Sequence, residues 1–313
     1  MTTGKPQPIS FNFALLCEGF LILFFSVSGC VKGQEVPSVK SIENELSRAF
    51  FVLKNTHNDS ARFKVNDSIL SLFQSVLSMP SAAGYSFDSL KTIARITSDD
   101  KRFTIFHWNI QRENGRHYYY GFLRINDDAK PKIFPLVDFS DSLAFPDSMI
   151  LNCGHWYGAL YYKVITGKTA NGTTFYTLLG WSGEDALITS KVIEILTFNA
   201  VDEPIFGLAA FKEYPGGIKT RIIFRYSSSA TMALKYEEQI LSTGRKWNPR
   251  KRTFDITNTQ KQTIVADRLI PLDPMQEGQY QYYFPAGDMI DGFYMDYGSW
   301  KYIQGIESRN KPR

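Results

Sequence analysis

Four histidines are the side chains of this 313-residue chain best suited to acid–base or metal chemistry. They are His57, His107, His117 and His155. No two of them have the helical or strand spacing that zinc ligands usually share. His107 and His117 lie on either side of a predicted turn and could meet across a hairpin. A histidine beside aromatic residues on a strand is usually a packed residue with a satisfied ring nitrogen. We therefore expect no metal and no cofactor, and keep His107 and His155 as candidate catalytic groups.

Carboxylates collect near the C-terminal end of the chain, at Asp273, Glu277, Asp288, Asp291 and Asp296. In the run DMIDGFYMD at 288–296, Met289 and Ile290 occupy places where a calcium loop needs oxygen ligands. We therefore predict turns capped by aspartates in this run. From this cluster we keep Asp291 as the carboxylate candidate for a hydrolase.

The sequence offers no clear motif for a catalytic nucleophile. A lone cysteine such as Cys153 in a β-rich body is more often a small buried hydrophobe than a reactive thiol. Ser182, in GWSG at 180–183, lacks the preceding pattern of a nucleophile elbow, and the chain has no P-loop or dinucleotide fingerprint. A binding or structural role is therefore preferred, and the alternative is an envelope hydrolase that acts on a glycan or peptide.

One basic run, RKWNPRKR at 245–252, stands out from a net charge of only +4. Five cationic side chains around a tryptophan could bind phosphate or a lipid headgroup. Asn248-Pro249 is a turn signal, however, and cationic loops are usually solvated. We predict an exposed turn here and no nucleic-acid partner.

The N-terminal segment has the character of an export signal. Its uninterrupted apolar run at 20–27 is far shorter than the roughly 20 residues that span a bilayer. The four residues Val27-Ser28-Gly29-Cys30 resemble the lipobox of bacterial lipoprotein precursors. This resemblance implies that residues 1–29 are a signal peptide and that Cys30 receives the lipid and becomes the mature N-terminus.

Further expectations follow from that resemblance. Residues 30–39, rich in Lys, Gly, Gln, Pro and Ser, would be a tether. Val31 stands where some bacteria use aspartate to retain lipoproteins in the inner membrane, so the resemblance implies the outer membrane, with its face left open. In general character the body resembles uncharacterised exported lipoproteins of Gram-negative bacteria. The expected partners are the membrane, through the lipid, and a glycan or peptide ligand.

Apolar periodicity predicts a helical pair at 40–80. One helix covers 40–54, residues 56–64 form a polar loop, and a second apolar stripe begins after Asn66-Asp67 and ends before Pro80. We expect this pair to pack on the body.

Residues 81–313 predict an antiparallel β-rich domain, a sandwich or open barrel-like sheets. Asn114-Gly115 and Asn171-Gly172 signal hairpins, and residues 221–226 and 230–236 predict a third hairpin with Arg221 on its wet face. Further strands are predicted at 132–139, 205–211, 263–269, 280–284 and 293–303, the last interrupted at Gly298, and a short helix at 189–196. Turns some fifty residues apart leave a propeller-like fold as the alternative, although no repeated signature accompanies them.

Overall fold

The computed structural model describes residues 37–126 and 131–306. It is mainly β, with three antiparallel or mixed sheets and two N-terminal helices, which confirms the predicted fold class. The predicted signal peptide, Cys30 and most of the tether lie outside the described residues. None of the described helices is long and apolar enough to cross a membrane.

Two capped helices precede the sheets. Helix α1 spans Val39–Asn55, and the Ser38 side chain accepts a hydrogen bond from the backbone of Ser41 at its start. Helix α2 spans Asp59–Leu77, and Asn58 caps it in the same way. The predicted polar loop at 56–64 was therefore wrong over most of its length. Its polar residues form the first turns of α2, and Asn58 supplies the start signal.

Fifteen strands follow within the described residues. They are β1 Ala94–Thr97, β2 Phe103–Gln111, β3 His117–Ile125, β4 Lys132–Val137, β5 Leu151–Asn152, β6 Leu160–Lys168, β7 Thr174–Gly183, β8 Ile188–Phe198, β9 Pro204–Phe206, β10 Phe211–Lys212, β11 Arg221–Ser227, β12 Leu234–Asn248, β13 Thr253–Pro271, β14 Tyr283–Asp296 and β15 Ser299–Ile306.

These strands form three sheets, and in two of them the strand order departs from the order of the chain. The four-stranded sheet has the order β1-β2-β3-β4, and the five-stranded sheet the order β10-β15-β14-β13-β12. The six-stranded sheet has the order β5-β9-β8-β7-β6, with β11 also paired to β8. The two Asn-Gly turns join β2 to β3 and β6 to β7, as predicted.

Strand alternation stacks the elements in layers. In β2, Phe106 and Trp108 pack under the two helices, whereas Phe103 and Ile105 join the core shared with the six-stranded sheet. The six-stranded sheet is apolar on both sides. Tyr176 and Leu178 belong to that first core, while Phe175 and Leu179 pack with residues of the five-stranded sheet such as Phe293 and Trp300. The described residues thus form three sheets in series, whereas a propeller takes four or more blades around an axis.

Two local predictions were wrong because the six-stranded sheet is the middle layer. The segment 189–196 is part of β8, not a helix. Burial on both faces removes the polar alternation that marks a strand, so its apolar residues imitate a helical stripe. The third hairpin is also absent, since β11 pairs with β8 and β12 pairs with β13. Arg221 is therefore buried and does not face the solvent as predicted.

The remaining strand predictions differ in extent. Residues 263–269 fall within the much longer β13, and residues 205–211 divide into β9 and β10. Residues 280–282 form a short 3₁₀ helix before β14. The run at 288–296 lies inside β14, so the predicted aspartate turns were wrong. A turn at Gly298 does separate β14 from β15.

Candidate ligand-binding site

His107, the first predicted site residue, lies deep between two sheets. Its side chain is fully buried, and its Nε2 accepts a hydrogen bond from the backbone N–H of Tyr161 at 2.6 Å. Burial lowers the pKa of His107 to about 4. The ring is therefore neutral at physiological pH and out of reach of a substrate.

His155 and Asp291 lie elsewhere, in unrelated surroundings. His155 is exposed, with its ring edge-on to Phe139 at a centroid distance of 4.7 Å. The Asp291 carboxylate pairs with Arg268 and accepts hydrogen bonds from the Tyr302 hydroxyl and the Gly305 backbone N–H, each at 2.9 Å. These contacts tie β13, β14 and β15 together. The structure therefore does not bring the three predicted residues into one site.

No metal centre or reactive thiol is found within the described ranges. No group of three or more His, Cys, Asp or Glu side chains in residues 37–126 and 131–306 could hold a metal ion. Burial raises the pKa of the half-buried Cys153 to about 12, which keeps its thiol protonated and unreactive.

A histidine does converge with carboxylates, but it is His117, at the start of β3. It lies against the end of β7, where two adjoining hollows share His117, Gly183 and Asp185 as lining residues. Their volumes are about 350 and 120 Å³. Gly183 makes this approach possible, because a Cβ there would lie 2.7 Å from the imidazole Cδ2.

The smaller hollow is polar, and two ion pairs lie in its wall. Arg225 donates to the Glu184 carboxylate at 2.8 Å, and Arg116 donates to Asp141 at 2.9 Å. The Ser182 hydroxyl, also in its wall, donates to the backbone carbonyl of Gly158 at 2.9 Å. No group here has the arrangement of an activated nucleophile and its base.

The larger hollow combines an aromatic ring with a cation. Trp181 on β7 and Lys191 on β8 are direct cross-strand partners, and both line it. Burial lowers the pKa of Lys191, whose ammonium lies 4.9 Å from the Tyr162 ring centroid. None of the ion pairs found in the described part of the chain includes Lys191. The wall also contains Gln111, Thr189, Ser228 and Thr231, together with Asp185, whose carboxylate accepts hydrogen bonds from the backbone N–H groups of Leu187 and Ile188.

Asn109 fixes the protonation of His117. The amide Nδ2 of Asn109 lies 2.7 Å from His117 Nδ1, and an amide nitrogen can only donate. Nδ1 therefore accepts, and the ring carries its proton on Nε2. Burial also lowers the pKa of His117, which favours this neutral form. The imidazole thus keeps one N–H donor for a ligand oxygen.

A third hollow lies between α1 and β2. Phe50 and Trp108 form part of its wall, and its volume is about 480 Å³. Arg62 at its rim donates to the backbone carbonyls of Thr56 and Gln111, each at 2.6 Å, and so joins the helices to the sheet. Lys54 and Lys91, which also line this third hollow, are exposed, whereas the His117 hollows contain the half-buried Lys191 and are the better candidate for a ligand site.

Sequence reasoning named His117 only as a possible partner of His107. The two do not meet, since His107 pairs with Gly121 and His117 with Gln111. Lys191 was hidden inside a segment predicted as a helix. Assigning residues 189–196 to a strand could have revealed the site, because Lys191 would then be the cross-strand neighbour of Trp181.

Comparison with known proteins identifies no relative. No protein-family model matches the chain, and no curated protein and no solved structure matches it.

Proposed function

We propose that this chain is an exported, lipid-anchored protein of the bacterial cell envelope whose body binds an acidic glycan at the His117 site. The lipobox-like sequence ending in Cys30 supports export and lipid attachment. Val31 after that cysteine supports the outer membrane as its destination.

The single observation that carries the ligand class is the Trp181–Lys191 pair at one hollow. An aromatic ring offers an apolar face to the C–H groups of a sugar, while amide, hydroxyl and imidazole groups suit its hydroxyls. The half-buried Lys191 ammonium belongs to no ion pair among residues 37–126 and 131–306, and it favours an anionic group on the ligand because burial penalises an uncompensated charge. An acidic sugar meets all three demands.

Calorimetric titration with a muramic-acid-containing disaccharide, and with its methyl ester as the neutral analogue, tests the site. We expect Trp181→Ala to weaken both ligands by tenfold or more, roughly the effect of a hot-spot residue. Lys191→Met should abolish the preference for the acid over the ester. Lys163→Met, at an exposed position on β6, is the matched control and should change neither affinity.

Equal binding of acid and ester by the parent would contradict the role of Lys191. Undiminished binding by the folded Trp181→Ala variant would contradict the site.

A hydrolase acting on glycan or peptide is the second candidate. The observation that favours it is the common hollow of His117, Glu184 and Asp141. A hydrolase must turn over its substrate. Prolonged incubation with the disaccharide and with short peptides should therefore release products, and His117→Ala should abolish that release. Unchanged substrates after incubation would leave binding as the function.

A further inference from the structure

The outer half of the β12–β13 hairpin continues past the residues of β13 that pair with β14. β13 pairs with β14 only between Thr263 and Pro271. The pairing of β12 with β13 continues outward to Asn248 and Thr253. At about 3.3 Å per residue, the outer part of β13 forms a ribbon about 30 Å long. Nothing else in the described chain forms a strand beside it.

The ribbon has one apolar and one polar face near its tip. Trp247 and Phe254 are direct cross-strand partners with ring centroids 5.1 Å apart, and Ile256 follows two residues along β13 on the same face. Trp247 is 49% exposed and Ile256 is 62% exposed. Lys246 and Asp255 are direct cross-strand neighbours on the opposite face. Ile256 also lines a hollow with Ile303 and Ile306 of β15, whereas Trp247 and Phe254 lie nearer the turn. Large apolar side chains exposed together mark a contact surface.

The turn that closes the ribbon is cationic. Pro249 to Arg252 connect the strands, and Arg250 and Arg252 are exposed. Lys251 lies 3.0 Å from Asp255, the acidic residue of the tip, so that carboxylate is already paired. The sequence carries five cations between positions 245 and 252. The tip therefore presents excess positive charge beside an apolar face.

We infer that this hairpin tip, the turn at 249–252 with Trp247, Phe254 and Ile256, docks on an anionic phospholipid surface. Tryptophan and phenylalanine are favoured at the boundary between headgroups and acyl chains, and arginine is attracted by anionic lipids. A soluble polyanion would engage the cations and leave the apolar residues in water. The contact is separate from the lipid proposed at Cys30 and would hold the body against the bilayer at a second point.

Flotation with vesicles tests this contact. The full-length Cys30→Ser chain is the common background, so whatever the N-terminal segment contributes is the same in every sample. One vesicle set contains phosphatidylcholine with 30% phosphatidylglycerol, and the other contains phosphatidylcholine alone. Tip variants are Arg250→Gln with Arg252→Gln, and Trp247→Ser with Ile256→Ser. Matched controls are Lys163→Gln with Lys168→Gln, and Leu272→Ser with Met275→Ser, all at exposed positions.

The arginine variant should lose roughly 25-fold in partitioning to anionic vesicles, about fivefold for each cation removed. The Trp247/Ile256 variant should weaken partitioning to both vesicle sets, and both controls should stay within twofold of the background. Melting curves of each variant establish that the body stays folded.

Equal partitioning of the background to the two vesicle sets would overturn the inference. So would tip variants that behave like the controls. A loss confined to the arginine variant, with Trp247/Ile256 without effect, would identify a site for soluble polyanions and also overturn it.

Discussion

Asn109 donates its side-chain N–H to Nδ1 of His117 across a distance of 2.7 Å. This contact makes Nε2 the protonated nitrogen of a neutral imidazole. We predict that ¹⁵N spectra of the ring show the Nε2–H tautomer at pH 7. In Asn109→Asp the new carboxylate would stabilise the imidazolium and raise the pKa of His117. The exposed His155 is the internal control, and its ring ¹⁵N signals at pH 7 should be the same in both proteins. An Nδ1–H tautomer in the parent would contradict this account of the site.

The Arg221–Glu194 ion pair should contribute strongly to stability. Arg221 Nε lies 2.7 Å from Glu194 Oε2, and both side chains are fully buried. The guanidinium also donates to the carbonyls of Met149 and Phe206, which fixes the loop after β4 and the end of β9. Removing one partner leaves a buried charge without compensation, so Glu194→Gln should cost about 3–5 kcal/mol in urea unfolding. Asp255→Asn, which breaks an exposed pair, should leave the midpoint unchanged. Similar urea midpoints for Glu194→Gln and Asp255→Asn would contradict the predicted difference in stability between the buried and the exposed ion pair.

His107 should make the fold sensitive to acid. Its pKa is about 4 in the folded protein, against an ordinary value of 6.5. As the pH falls below 6.5, His107 binds a proton in the unfolded chain but stays neutral in the folded protein. The free energy of unfolding therefore decreases until about pH 4. The linked loss is about 3 kcal/mol. His107→Gln should show a shallower decline in unfolding free energy over this window, and parallel curves for parent and variant would disprove the assignment.

Trp156 is a core residue. It is fully buried, and its indole N–H donates to the Tyr161 hydroxyl at 2.9 Å. Trp156→Ala should therefore cost about 3–5 kcal/mol of unfolding free energy. Trp247→Ala, at the exposed hairpin tip, is the control and should cost about 0.5 kcal/mol. If Trp156→Ala melted like the parent but lost glycan binding, Trp156 would be a ligand platform.

Local patterns were informative for an amphipathic helix and for tight turns. The stripe of α1 and the Asn-Gly turns of the β2–β3 and β6–β7 hairpins predicted real elements, since amphipathic period and turn chemistry are local properties. The patterns failed for β8, which is buried on both faces. They failed again for Arg221, whose apolar neighbours and partner Glu194 come from another hairpin. The candidate site depends on such distant contacts, because His117, Trp181 and Lys191 converge only after the sheets stack.

Cys30 should carry the lipid that holds the protein in the envelope. Signal peptidase needs small residues before its cut, and Ser28-Gly29 supply them. Cys30→Ser should accumulate as unprocessed precursor or move to the soluble fraction on cell fractionation. Mass spectrometry of the parent should find a diacylated or triacylated N-terminal cysteine. A Cys30→Ser protein that is processed and membrane-bound like the parent would remove the lipoprotein assignment.

The most direct test of glycan binding is fluorine NMR of the chain labelled with 5-fluorotryptophan. The chain has 5 tryptophans. Trp156 and Trp300 lie in cores, Trp108 faces the hollow beside α1, and Trp247 lies at the hairpin tip. Titration with the muramic-acid disaccharide should move the Trp181 signal alone, to saturation, and Lys191→Met should weaken that response. A saturable shift of Trp108 or Trp247 with Trp181 unmoved would contradict the proposed site.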